Sequence, residues 1–556
     1  MAREENYENH SKEELIAEIK ELKKRKKYGL VWDEEREKEK VVLQCKEKVP
    51  VLKEVKSKSI QKGTGQPTHI LIEGDNYHAL SVLNYTHQNA VDVIYIDPPY
   101  NTGAKDWKYN NHFVDDNDTY RHSKWLSMMS NRLKITKSLL SPNGVLICTI
   151  DKYEQARLNI LLEEIFVGYE IVCVTIIHNS AGTQGNNFSY TNEYAFFVFP
   201  KNGVYIDKTK RDEDLVSSFR DWGPSGLRSQ AKTCFYPIIV RNMKIEGFGD
   251  VCDENFHPKK SNIKQPDGSV QIYPIDQNGV EKKWVFSRES VKKIKGQLFC
   301  KKSKGDISIF RKKSEASHKT VWNNKYHYAN VYGSKLLNNI LENDFPFPKS
   351  LFAVMDCINA VIHNKNDAVI LDYFAGSGTS GHAVLELNKM DGGNRQFILA
   401  TNNENNIATS VCYPRLKKVI NGYKNKKRKS IEGLNGNLKY FKTAFIPAKS
   451  TDRNKEKLTK QSVEMLCLKE NTFDLVLDSK EFKIFKSDDH YTAILFNENE
   501  IESFKDQIKD YDLPISAYVF SLGDDDFAEE FYDVKDKVKV CPIPATILRV
   551  YNRIFR

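Results

Sequence analysis

The chain has 556 residues, with 84 Lys plus Arg against 74 Asp plus Glu and a formal net charge of +10. That length allows several domains and an ample core, while the charged N-terminus and the lack of any long apolar run argue against a signal peptide or a membrane span and for a cytoplasmic protein. Its ten cysteines are scattered without a C-x-x-C pair and its histidines lack metal-ligand spacing, which disfavours a zinc site or a disulfide framework.

In chain order, Ser11 and Glu14 have capping-box spacing, and Leu15, Ile19 and Leu22 line one side of a helix expected over 11–28. Residues 34–66 turn charged and then polar, ending Q-K-G-T-G-Q-P-T. With the helix they make an N-terminal segment and linker, 1–66. His69 to Glu73 reads as a strand, and Gly74-Asp75-Asn76 leads into a helix over 77–87. Val91 to Ile96 is the apolar run of a parallel strand buried on both faces. Residues 119–140 look helical, and 141–150 give a turn and a further strand closed by Asp151, a site candidate or a helix cap.

Residues 201–345 change character. Lys plus Arg reach 27 against 17 acids, with Trp222, Tyr236, Trp284, Trp322 and Tyr326 interleaved. Such a basic, aromatic insert suits a DNA-reading domain, with Arg220, Arg228 and Arg241 as candidates for guanine or phosphate. It divides a catalytic core into 67–200 and 346–430. Residues 415–449 hold 11 Lys plus Arg and one acid, with the knot K-N-K-K-R-K at 424–429 expected on the DNA backbone. Residues 451–556 reverse sign, 16 basic against 22 acidic, so 431–556 reads as a small α+β assembly domain that contacts protein rather than DNA.

Two stretches carry chemistry. Asp97-Pro98-Pro99-Tyr100 ends the strand 91–96, at the carboxyl edge where open α/β sheets bind ligands. The prolines remove two backbone donors, so the loop is stiff and its carbonyls are free to accept. A carboxylate, a carbonyl and an aromatic face form the set needed by an exocyclic amine on a planar ring. Far downstream, A-V-I-L-D-Y-F-A-G-S-G-T (368–379) reads as a strand, a glycine turn and a helix start. Gly376 and Gly378 let a ligand approach the backbone. The spacing matches neither a dinucleotide fingerprint nor a P-loop, which favours a nucleoside without phosphates. Glu404, just after the strand 395–400, suits ribose hydroxyls.

These motifs resemble those of the amino-methyltransferases acting on DNA bases. D-P-P-Y precedes F-A-G-S-G, the order of the permuted β group. I-E-G-D-N (72–76), H-N-S-A-G-T-Q-G-N-N-F-S-Y-T-N-E-Y (178–194), F-P-F-P-K-S-L (345–351) and F-I-L-A-T-N-N-E (397–404) extend the likeness towards type III modification subunits. The resemblance implies an α/β, Rossmann-like core of circularly permuted motif order, with S-adenosylmethionine as methyl donor, S-adenosylhomocysteine as product and no required metal. It assigns the cofactor to Asp372, Phe374, Ala375, Gly376, Ser377, Gly378, Thr379 and Glu404. Lys349 and Ser350 fall at its methionine end, and Asp75 either receives a bond from its adenine or simply caps a helix. Catalysis falls to Asp97, Pro98, Pro99 and Tyr100. Asn101, Asn179 and Phe188 border a flipped base. Asp97 favours adenine N6, because relatives acting on cytosine N4 more often carry Ser there. Double-stranded DNA, a homodimeric state and a separate restriction helicase-nuclease are the implied partners, in a bacterial cytoplasm. A scaffold role for such a nuclease is the alternative from another class.

Overall fold

A computed structural model describes residues 38–555 other than 64, 304, 343, 344 and 524, together with 11–13, 15, 16 and 32. The expected helix over 11–28 therefore lies mostly outside the described residues. The chain forms two compact units, one from residues up to 207 and from 319 onward, the other from 208–318.

The larger unit is built on a ten-stranded sheet. Its strands in chain order are β1 (Lys48–Glu54), β2 (Thr68–Glu73), β3 (Val91–Ile96), β4 (Leu140–Ile150), β5 (Tyr169–Ile177), β6 (Asn192–Pro200), β7 (Val321–Trp322), β8 (Val369–Asp372), β9 (Gln396–Thr401) and β10 (Asn437–Pro447). Their spatial order is β1-β10-β2-β9-β8-β3-β4-β6-β5-β7. From β10 to β4 every neighbour is parallel. β6 then enters antiparallel to both β4 and β5.

Parallel strands need covered faces, and from Val93 onward the side chains alternate accordingly. Ile94 and Ile96 join one buried cluster while Val93 and Tyr95 join the other. The first face is covered by α2 (Asn76–Thr86), α3 (Arg121–Leu139) and α4 (Gln155–Ile165), through residues such as Leu83, Trp125 and Leu161. The second is covered by α5 (Leu351–Ile362), α6 (Thr379–Asp391) and α7 (Tyr413–Asn421), through Ile358, Val384 and Leu416. This is a doubly wound α/β fold. β8 leads through α6 to β9 on one side, and β3 leads through α3 to β4 on the other, so a switch point lies between β3 and β8.

Three boundaries differ from the sequence reading. The expected linker contains α1 (Lys40–Glu47) and β1, which pairs along the outer edge of β10. The basic insert is narrower than 201–345. Asp207 N donates to Ala360 O at 2.7 Å, and Val321–Trp322 pairs with β5, so both flanks return to the core. The core sheet also takes in β10, beyond residue 430. The C-terminal region carries a five-stranded sheet whose last three strands, Tyr491–Leu495, Ile515–Phe520 and Val538–Ile543, are parallel. Its final helix, α8 (Ala545–Phe555), docks on the core: Tyr551 Oη donates to Pro50 O at 2.6 Å, and Arg553 Nη2 to Asn84 Oδ1 at 3.0 Å.

The smaller unit is all antiparallel. A three-stranded sheet (Thr209–Ser218, Asp306–Ala316, Leu298–Ser303) and a four-stranded one enclose Phe219, Tyr236, Ile238 and Trp284. Phe219 and Trp284 stack with centroids 5.4 Å apart.

Arg132 anchors α3 to the N-terminal elements. It is almost fully buried. Its Nη2 lies 2.8 Å from Glu39 Oε1, its Nη1 donates to Glu39 Oε2 at 3.0 Å, and its Nε donates to Asn76 Oδ1 at 2.5 Å. Removing one partner of such a pair strands a buried charge, so Arg132→Met should cost about 3–5 kcal/mol, read as a lower denaturation midpoint. Adding Glu39→Leu to that variant removes the stranded carboxylate and should recover part of the loss.

Candidate active site

β3 and β8 are hydrogen-bonded neighbours, with Ile370 opposite Val93 and Leu371 opposite Ile94. Their carboxyl ends therefore open at one point of the sheet edge. Asp97 follows β3 there, and Asp372 ends β8 beside it.

The Asp97 carboxylate is held from two sides. Thr149 of β4 donates its Oγ1–H to Oδ1 at 2.6 Å, and Lys349 Nζ lies 3.2 Å from the same oxygen. Burial pushes the Asp97 carboxyl up and Glu193 adds to that, while Lys349 and the Thr149 hydroxyl pull it down; the net direction is upward. Lys349 also bonds Glu193 Oε2 and the Tyr100 hydroxyl. Tyr100 Oη donates to Glu193 Oε2 at 3.0 Å. Burial would raise the Glu193 carboxyl, but Lys349, His178 and the two hydrogen bonds bring it below its ordinary value. Burial likewise works against the Lys349 ammonium, and the two carboxylates outweigh it, so Lys349 stays charged.

In the proline loop, Trp125 Nε1 donates to Pro99 O at 2.7 Å. Among the described residues none donates to Pro98 O. The resemblance places Lys349 at the cofactor's methionine end, whereas in the structure its ammonium stands among Asp97, Tyr100 and Glu193. Gly333 makes room for this strand of chain, because a Cβ there would lie 2.2 Å from Pro348 O.

The glycine turn follows β8. Asp372 is buried; Phe374 N donates to its Oδ1 at 2.9 Å and Ser380 Oγ to its Oδ2 at 2.5 Å. Ala375 N reaches Ala400 O at 3.2 Å. Gly376 and Gly378 have φ of 49° and 76°, where a side chain is strained. A Cβ on Gly376 would meet nothing closer than 3.7 Å, so one side of the turn is open, as a ligand cradle needs. Arg415, fully buried, holds the other side: its Nη1 donates to Thr379 Oγ1 at 2.8 Å and Ser377 Oγ at 3.2 Å. Burial lowers this guanidinium to about 10. Glu404, past the end of β9, is ion-paired with Lys108 of the hairpin that follows the proline loop.

Other expected residues take different places. Asn101 is fully buried at φ 57°, donating to Glu154 Oε1 at 2.5 Å and accepting from Trp107 Nε1 at 3.0 Å. It braces the loop and is withdrawn from a base contact. Ser350 is buried; it donates to Tyr326 O at 2.7 Å and caps α5, which leaves no free hydroxyl for the cofactor. Asp75 caps α2, accepting from Tyr77 N at 2.8 Å. Asp151 Oδ1 closes a turn by accepting from Tyr153 N at 2.9 Å. Asn179 has its backbone bonded to Thr191 O, and Phe188, in the same loop, is 76% exposed.

In the smaller unit, Arg228 is buried on Glu281, Phe256 O and Asp253 O, and Arg220 bonds Ile275 O. Both are framework groups, as are the buried Tyr236 and Trp284. Arg241 is half-buried and already paired with Glu246 at 2.7 Å and Asp267 at 2.8 Å. The basic knot 424–429 lies between α7 and β10, with Leu434 N bonded to Val419 O and Asn437 opposite Thr68. That is the amino edge of the sheet, opposite the carboxyl edge where Asp97 and Asp372 lie. Glu193 and Arg415 were missed. An acid opening the apolar run 194–199 was the available signal for Glu193; Arg415, in a basic stretch, offered none.

Comparison with known proteins gives a consistent set of matches. The DNA methylase family model matches residues 91–411, more than half the chain. The type II methyltransferase M.KpnI of Klebsiella pneumoniae is 32% identical over 366 residues, covering 61% of this chain and 82% of that protein. The type III restriction-modification enzyme EcoPI Mod subunit of Escherichia phage P1 is 27% identical over 403 residues, covering 64% and 60%. The StyLTI Mod subunit of Salmonella typhimurium is 28% identical over 364 residues, covering 60% and 52%. The chain thus spans just over half the length of these two Mod subunits. The crystal structure of an M1.HpyAVI–SAM complex aligns at 14% identity and a TM-score of 0.30, covering 62% of this chain and 98% of that one.

Two outcomes follow from the geometry of the turn. Gly376→Val with Gly378→Val forces side chains onto left-handed backbone, and calorimetric binding of S-adenosylmethionine should disappear. Burial raises the Asp372 carboxyl from 3.8 to about 7, partly offset by Ser380 and the Phe374 N–H. The folded state then holds a proton that the unfolded chain loses first, so this group's contribution to stability falls as pH rises from about 4 to about 7. Asp372→Asn removes that dependence, and its denaturation midpoint should fall less than the parent's between pH 5 and pH 8.

Proposed function

The chain belongs to the DNA methylase family, and we propose that it methylates adenine N6 at a specific double-stranded sequence, as the modification component of a restriction-modification system. The reading includes a homodimer and a separate restriction subunit. The single observation that carries it is the register of β3 on β8, which puts the amine-accepting loop and the glycine turn at one switch point. The likeness to M.KpnI and to type III Mod subunits supports a modification role. Asp at position 97 supports adenine over cytosine.

S-adenosylmethionine, when bound, supplies a methyl group already activated on a sulfonium. Asp372, Glu404 and the turn from Gly376 to Thr379 are the residues that would hold it. The remaining work belongs to the protein. A target amine inside a duplex is out of reach, so the base has to leave the stack. Tyr100 offers it a ring to stack on. Asp97 accepts one amine hydrogen and the Pro98 carbonyl the other, which turns the nitrogen lone pair towards the donor. Trp125, bonded to Pro99 O, keeps that loop rigid. Catalysis is then positioning plus charge compensation. Asp97 need not be a strong base, because the amine becomes acidic once it carries the methyl group.

DNA from a methylation-free host expressing this chain should show N6-methyladenine at one short motif by single-molecule sequencing. Asp97→Ala should reduce that modification at least about 100-fold, in the range of a lost transition-state contact, while gel-shift DNA binding persists. Undiminished methylation by Asp97→Ala would remove Asp97 from the site, and methylated cytosine would move the target to N4.

A further inference from the structure

Lys349 and Glu193 come from distant parts of the chain and meet at the catalytic loop. Glu193 opens β6, which lies beside β4, and Lys349 precedes α5 on the other side of the crevice. Both side chains are nearly excluded from solvent, at 13% and 8% exposure. An ion pair removed from water is costly unless every group in it is bonded. Here the ammonium has three acceptors, Asp97 Oδ1, Glu193 Oε2 and the Tyr100 oxygen. Glu193 in turn accepts from the Tyr100 hydroxyl. The pair is therefore bonded to both residues that are to hold the acceptor base, the carboxylate and the stacking ring.

The charges also matter. Asp97, Glu193 and Lys349 together carry one net negative charge. Methyl transfer from a sulfonium to a neutral amine moves a positive charge onto the acceptor nitrogen. Lys349 beside Asp97 without Glu193 would leave the site neutral and set a cation against that nitrogen. Glu193 restores the sign that the transition state needs.

Building on the methyltransferase reading above, we propose that Glu193 and Lys349 are a positioning pair for methyl transfer: Lys349 ties Asp97 and Tyr100 into one arrangement, and Glu193 keeps that arrangement net negative around the acceptor amine. Lys349 thereby acts on the acceptor side of the crevice.

The test compares Glu193→Gln and Lys349→Met with the unsubstituted full-length chain. Each is assayed for methylation of its mapped DNA site, for S-adenosylmethionine binding by calorimetry, and for the pH dependence of kcat. Both variants should lower kcat about 100-fold, as for a lost preorganised charge, with S-adenosylmethionine Kd and DNA KM within about threefold of the parent. The acid limb of the profile reports protonation of Asp97. The groups facing it are Lys349 and Glu193, the Thr149 and Tyr100 hydroxyls, and the more distant Tyr95, Cys148 and Asp372. Removing the Lys349 cation should move the limb to higher pH, and removing the Glu193 anion should move it to lower pH. A pair that merely supported the fold would lower activity and leave the limb in place, which overturns the proposal. Loss of S-adenosylmethionine binding in Lys349→Met with an unmoved limb would tie the lysine to the cofactor instead, and also overturns it. If Glu193→Gln does not fold, as judged by circular dichroism, Lys349→Met decides by the same criteria. Failure of the unsubstituted chain to methylate DNA would count against the function itself rather than against this pair.

Discussion

Ile370 lies opposite Val93 and Leu371 opposite Ile94, and that short parallel contact joins two loops from either side of the inserted unit at 208–318. Neither loop is chemically sufficient. The D-P-P-Y loop offers a carboxylate, a free carbonyl and an aromatic face, the glycine turn offers open backbone, and neither carries what the other has. The register of β3 on β8 sets the two at the same height on the sheet edge. Because a one-residue slip in a strand reverses every side chain, the burial of alternate residues in two separate clusters fixes this register. The hydrophobic core is therefore what aligns the chemistry.

The long separation between the two strands costs little. Loop-closure entropy grows only logarithmically, about 0.6 kcal/mol for each doubling of length. A compact unit at 208–318 can thus stand between β6 and β7 without weakening the pairing it interrupts. Its flanks are tied down locally, by Asp207 on Ala360 and by Val321–Trp322 on β5. Both flanks thus belong to the larger unit, and the insert is a compact body of its own.

Much of this was legible in the sequence, and what was not had a physical reason. Strand 91–96, the turn at Gly376 and Gly378, and the helix over 119–140 were readable because period, glycine and proline act locally. Burial of polar groups was not. Asn101 and Ser350 sit in motifs that look exposed, yet each closes hydrogen bonds inside the protein. Arg228 reads as a DNA contact in the sequence because guanidinium chemistry is the same whether it meets phosphate or the half-buried Glu281. Glu193 and Arg415 went unread for a further reason. Their meaning lies in partners more than thirty residues away, Lys349 in one case and the glycine turn in the other, and no local pattern encodes such a pairing.

The polarity of the parallel sheet separates the remaining features. Every β-strand from β10 to β4 points the same way, so loops after strands and loops before strands lie on opposite edges. Asp97 and Glu404 follow strands, and Asp372 ends one. The lysine-rich hairpin at 424–429 precedes one, as does the glycine-containing stretch before β2. Charge alone would group that hairpin with the active site; strand direction assigns it to the far edge. Position along the strand thus discriminates between equally basic or equally glycine-rich segments. The site can carry net negative charge on a chain whose total is +10 because inside the crevice the local sign is set by Asp97 and Glu193, each paired with the one cation Lys349, and the exposed lysines elsewhere are screened by solvent over about 8–10 Å.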